Sequence, residues 1–129
     1  VDDALQFNKD LLYGRTEHYK KALQTKEPIS FFDRGIPDVL AYMDFFGQHY
    51  DREFIEPCEN HRYDLVFMVP PWAEIYVSDN ERLESFEEAV HLHHALMNTY
   101  TQFGYTPIEV PKDAVQKRID FILETINTI

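Results

Sequence analysis

The sequence predicts an α/β fold built on a parallel sheet. Short apolar runs rich in β-formers alternate with longer stretches of helical periodicity. The clearest run, Leu65-Val66-Phe67-Met68-Val69, is apolar throughout and stops at Pro70-Pro71. Such a strand is typical of a parallel sheet covered on both faces. The size fits: 129 residues with 44% hydrophobic content suit one small domain with its own core. We therefore expect residues 1–129 to form a single domain.

The elements follow in order. Leu5, Leu12, Tyr19, Ala22 and Leu23 mark a helical stripe from about Asp3 to Gln24, with Gly14 weakening its middle. Ile29-Ser30-Phe31-Phe32 is too short for a helix and reads as a buried strand ending at Asp33-Arg34-Gly35. Pro37 suits a first helical position, and Gly47 suits the stop of that helix. A short helix from Arg52 to Asn60 is expected, interrupted by Pro57. After the Leu65–Val69 strand comes a polar loop, Trp72 to about Glu84. Ser85 with Glu88 forms a capping-box pattern for a helix that stops at Gly104. Pro107 to Pro111 reads as a third strand. Asp113 is placed to cap a last helix whose apolar face is Val115, Ile119, Ile122 and Ile126, widened by Leu123. The order α-β-α-α-β-loop-α-β-α implies βαβ units.

Charge and composition exclude several functions. The formal net charge of −11 opposes duplex nucleic-acid binding, which needs a basic face, but leaves room for a small anion held by a few arginines. No apolar run approaches the roughly 20 residues that span a bilayer. One cysteine, Cys58, excludes an internal disulfide and a cysteine-based zinc site. With no signal-like start at Val1-Asp2-Asp3, this points to the cytoplasm. The lack of an initiator Met leads us to expect the natural N-terminus elsewhere.

Four groups of residues are candidates for chemistry. Asp33-Arg34-Gly35 sits at a strand end, where open α/β sheets bind ligands. A carboxylate there can hold a magnesium-bound water or accept a hydroxyl proton, and the arginine can grip phosphate. A solvated ion pair in a turn is the plainer alternative. Trp72, after two prolines, can line a pocket or pack against a helix edge. Arg82 in Asp79-Asn80-Glu81-Arg82 can swing over a transferring phosphoryl group, or belong to an ordinary helix entry. His91, His93 and His94 lack the i, i+4 spacing and further ligands of a helical zinc site and read as a partly exposed cluster. Gly14-Arg15-Thr16 fails as a phosphate loop: Arg15 replaces the lysine, and position 9 is Lys, not Gly.

Several strings together carry a resemblance. They are Phe31-Phe32-Asp33-Arg34-Gly35-Ile36-Pro37-Asp38 with Tyr42, Val66-Phe67-Met68-Val69-Pro70-Pro71-Trp72, Glu74-Ile75-Tyr76, Asp79-x-x-Arg82 and Phe86-Glu87-Glu88-Ala89. In this order they resemble the AAA-type predicted-ATPase family of small P-loop proteins. That family is related in fold to nicotinamide riboside kinases and to nucleoside and nucleotide kinases. The resemblance implies a three-layer P-loop NTPase-like parallel sheet, with ATP and Mg²⁺ as cofactors. It implies that Asp33 serves Mg²⁺ or the substrate hydroxyl and that Arg34 contacts phosphate or substrate. Asp38, Tyr42 and Trp72 would border the acceptor pocket, and Arg82 would be the lid arginine. Val110, Pro111 and Lys112 would lie where relatives cradle the adenine ring.

The family pattern opens with a strand, a Gly-rich phosphate loop and a helix, none of which these residues match. In the sheet order 2-3-1-4-5 the chain supplies strands 3, 4 and 5 with flanking helices. We therefore expect the C-terminal part of a P-loop domain, preceded by roughly 50 residues. The alternative is a fragment that closes strand 3 onto strand 4 or pairs with another copy of itself. The leading functional expectation is Mg²⁺-dependent phosphoryl transfer from ATP to a small hydroxyl-bearing acceptor, inactive without the phosphate loop. Two alternatives stay open: a non-enzymatic protein-interaction module and a nucleotide-dependent regulatory switch.

Overall fold

The computed structural model describes residues 2–73 and 85–128. The chain divides into two compact units, Val1–Arg62 and Tyr63–Ile129.

The first unit is three packed helices: α1 (Asp2–Leu23), α2 (Pro37–Phe45) and α3 (Arg52–Asn60). Its interior is built from Leu12 on α1, Ile36, Val39, Leu40, Ala41 and Met43 at and along α2, and Phe54 and Cys58 on α3. Local chemistry sets the helix ends. Pro37 occupies the first turn of α2. Its C-terminus closes as a Schellman motif, with Gly47 N–H donating to the Asp44 carbonyl (3.1 Å) and Gln48 N–H to the Met43 carbonyl (2.8 Å). Gly47 takes φ +69°, the left-handed backbone that stops the helix at the expected residue. The Asp51 carboxylate caps α3 by accepting from Glu53 N–H at 3.0 Å. Pro57 lies inside α3 without ending it, contrary to the expected interruption.

Ile29–Phe32 corrects a second expectation. These residues join no ladder, and Ile29 and Phe31 are exposed. A β-rich run forms a strand only where another strand pairs with it, and among the described residues this run has no such ladder.

The second unit holds β1 (Phe67–Met68), α4 (Phe86–Gln102), β2 (Ile108–Glu109) and α5 (Val115–Asn127). β1 and β2 pair in parallel, Phe67 opposite Ile108 and Met68 opposite Glu109. Ile108 N–H donates to the Val66 carbonyl (2.9 Å) and Val110 N–H to the Met68 carbonyl (2.8 Å). The parallel direction agrees with the expected parallel sheet. The ladder is far shorter than the five-residue apolar run, however, and Val69 is exposed rather than covered. Among the described residues the chain is mostly helical with a two-stranded sheet, an incomplete α/β arrangement rather than three full layers.

The expected capping box opens α4. The Ser85 hydroxyl accepts from Glu88 N–H (3.1 Å), and the Glu88 carboxylate accepts from Ser85 N–H (3.2 Å). A second Schellman motif closes it at Gly104, φ +90°. Asp113 sits one residue too early to cap α5. Its carboxylate accepts from Ala114 N–H at 2.7 Å, and Ala114 is the N-cap residue. No residue of α5 is buried, and Val115, Ile119 and Leu123 of its apolar face are exposed.

Candidate functional site

The Asp33-Arg34-Gly35 turn leads directly into α2. Arg34 takes φ +72°, a left-handed conformation that strains a side chain of this size. The turn is held from within α2: the buried Asp38 carboxylate accepts from Gly35 N–H at 3.1 Å. Asp38 is thus a brace for the turn. Asp33 is exposed, and among the described residues no hydrogen bond or ion pair engages its carboxylate. The Arg34 guanidinium lies over the Tyr42 ring, 5.9 Å from its centroid. Of the residues proposed from sequence, Arg34, Asp38 and Tyr42 therefore meet at one turn, with Asp33 adjoining in the chain.

A cleft of about 330 Å³ opens between α1 and α2 on the same unit. Phe7, Asn8, Leu11 and Arg15 line it from α1, and Val39, Tyr42 and Phe46 from α2 and its end, with Arg34 and Gln48. Arg15 Nη1 donates to the Gly35 carbonyl at 3.4 Å. Asn8 Nδ2 donates to Gln48 Oε1 at 2.7 Å. Among the described residues neither Arg15 nor Arg34 has a carboxylate partner, whereas Lys9 pairs with Glu53 and Arg52 with Glu56 and Glu59. Arg15 belongs to no phosphate-loop motif, and no other motif in the sequence marks it. The signal that would have found it is its helical spacing from Phe7, Asn8 and Leu11.

The second unit carries the other proposed residues. Trp72 is half-buried after Pro70-Pro71. Val110 is buried, and its N–H bonds the Met68 carbonyl. Pro111 and Lys112 are exposed beyond the strand end. Arg82, with Glu74-Ile75-Tyr76 and Asp79, lies outside the described residues. The histidine cluster divides: His91 and His94 are exposed, while His93 is buried with Nε2 3.3 Å from Glu109 Oε1, tying α4 to β2. Among the described residues no three His, Cys, Asp or Glu side chains form a metal cage.

Cys58 is fully buried on α3, with Sγ 3.6 Å from the Phe54 carbonyl. Burial, with Glu59 nearby, pushes its thiol up to about 12. It is a packed core group and not a nucleophile.

Comparison with known families decides the class. A family model described as an AAA domain matches residues 1–118. The chain belongs to that AAA domain family. Such domains are of the P-loop NTPase type, and the family generally binds ATP and Mg²⁺. The match runs from α1 through the Asp33-Arg34 turn and both strands into the start of α5. No curated protein and no solved structure gives a significant match. Among the described residues, no helix is long and apolar enough to cross a membrane.

Magnesium is usually held by one or two carboxylates together with substrate phosphates. The exposed Asp33 carboxylate, unengaged among the described residues, fits that requirement.

Proposed function

We propose that this AAA domain supports Mg²⁺-dependent phosphoryl transfer from ATP to a small hydroxyl-bearing acceptor. The observation that carries this reading is the turn before α2. Its exposed Asp33 carboxylate, unengaged among the described residues, stands beside an Arg34 held in left-handed backbone by the Asp38 brace. Strained backbone that its surroundings hold in place is common at functional turns.

Bound Mg²⁺ and ATP supply the transferable phosphoryl group and neutralise its charge. Asp33 holds the metal or accepts the acceptor's hydroxyl proton. Arg34, with Arg82, balances negative charge on the phosphoryl oxygens. Asp38 and Tyr42 serve the acceptor from the turn, Asp38 by bracing it. Trp72 is a further candidate for the acceptor, and Val110, Pro111 and Lys112 are candidates for the adenine. No Gly-x-x-x-x-Gly-Lys-Ser/Thr occurs in these 129 residues. Turnover therefore needs a phosphate loop supplied from outside them, and these residues alone do not consume ATP. We place the protein in the cytoplasm, acting on a nucleotide and a small molecule rather than on nucleic acid or membrane.

The test is ADP release by the natural protein, with and without candidate acceptors. Release that depends on an acceptor is expected. ATP binding with acceptor-independent release makes the domain an ATPase or switch, and no nucleotide binding at all leaves only a scaffold.

A further inference from the structure

The α1–α2 cleft combines three kinds of side chain in one place. Phe7, Tyr42 and Phe46 offer flat apolar surface. Arg15 and Arg34 bring two guanidinium groups that, among the described residues, no carboxylate neutralises. Asn8 and Gln48 are joined by one amide hydrogen bond, leaving an acceptor oxygen on Asn8 and an NH₂ donor on Gln48. On a chain of net charge −11, two arginines with no carboxylate partner among the described residues, one of them over the Tyr42 ring, are a local exception. The volume of about 330 Å³ falls at the small end of ligand pockets, which span roughly 300–1,000 Å³.

We propose that this cleft binds a phosphate monoester of an aromatic or heteroaromatic body. The dianionic phosphate balances Arg15 and Arg34, and arginine forks suit phosphate oxygens. The ring lies against Tyr42, Phe7 and Phe46, where offset stacking and edge contacts are favourable. The Asn8–Gln48 amides meet a heteroatom edge on the ring. Arg15 is held at the turn by its bond to the Gly35 carbonyl, so α1 and the Asp33-Arg34 turn serve the same ligand.

As the acceptor, such a monoester must also carry a hydroxyl, as a nucleoside monophosphate does and phenyl phosphate does not; that role alone rests on the transfer reading. Binding itself needs neither ATP nor a phosphate loop. Binding without turnover in the natural protein would therefore sink the transfer reading and leave the cleft assignment standing.

The test is calorimetric titration of the full chain with adenosine 5′-monophosphate, phenyl phosphate, adenosine and inorganic phosphate. One or both monoesters are expected to bind at least tenfold more tightly than adenosine or inorganic phosphate. Arg15→Gln and Arg34→Gln should each weaken that binding about tenfold or more, as expected for losing a charged hydrogen bond. Arg52→Gln, at an ion-paired position on α3, should leave binding unchanged. Thermal melts establish that each variant is folded. Where a glutamine variant is not, Arg15→Lys and Arg34→Lys retain the charge but lose the fork and should bind several-fold more weakly. The proposal is overturned if neither monoester binds, if adenosine or phosphate binds as tightly, or if folded Arg15 variants bind like the native chain.

Discussion

The two units of this chain are built to different standards. In Val1–Arg62, three helices enclose a continuous interior, with Ile36, Ala41 and Cys58 fully buried. In Tyr63–Ile129, among the described residues, two strands of two residues each make the sheet, and α5 buries none of its residues. The difference is one of partners. Helices satisfy their own backbone groups and need one apolar face against a neighbour. Strands need another strand for every donor and acceptor along their length. Among the described residues the helices are accordingly long and the strands short.

The sharpest way to break this contrast is to truncate an apolar side chain to alanine in each unit. Phe54→Ala empties the centre of the three-helix unit and should lower stability by about 3–5 kcal/mol in a denaturant melt. Val115→Ala on the exposed face of α5 should stay within about 0.5 kcal/mol of the native value. Comparable losses at both positions would show that α5 is as well packed as α3. The thiol of Cys58 gives a chemical version of the test. Its folded value, about 12, lies above the ordinary 9.0, so the buried thiol stays neutral while the unfolded chain ionises. Its contribution to stability is complete below about pH 9 and is lost as pH rises toward about 12. Melts across that window should fall more steeply for the native chain than for Cys58→Ala, and iodoacetamide should label native Cys58 only on unfolding. Rapid labelling of the folded chain would contradict the burial. The smallest effect is expected at Gly14, which is exposed within α1 and where an added Cβ meets nothing within 4 Å. Gly14→Ala should therefore raise stability by up to about 1 kcal/mol. A loss instead would mean that this face of α1 is covered.

Legibility in the sequence follows the same division. Helix ends were readable because their chemistry is local: Ser85 with Glu88, Pro37, Gly47 and Gly104 all act within a few residues. Asp113 was misplaced by one residue because a short polar side chain can bond the N–H beside it as readily as the helix's own first turn. The parallel pairing of the Phe67 and Ile108 runs was readable from apolar patterning. The lack of a ladder at Ile29–Phe32 was not, since pairing depends on residues far along the chain or outside it. At the candidate site, the Asp33-Arg34 turn stood out as a motif. The hydrogen bond by which Asp38 braces it did not, because it depends on the folded turn. Arg15 and the Asn8–Gln48 pair were hidden because they act across helices, with Asn8 and Gln48 forty positions apart in sequence. His93 with Glu109 was hidden for the same reason.

The most direct measurement is Mg²⁺-dependent ATP consumption by the natural protein and by its Asp33→Ala variant, each with a melting curve. The Asp33 carboxylate is exposed, so its removal should leave the melt unchanged. If it serves the metal or the nucleophile, turnover should fall by about a hundredfold or more. Unchanged ATP consumption by a folded Asp33→Ala protein would contradict the role given to this turn.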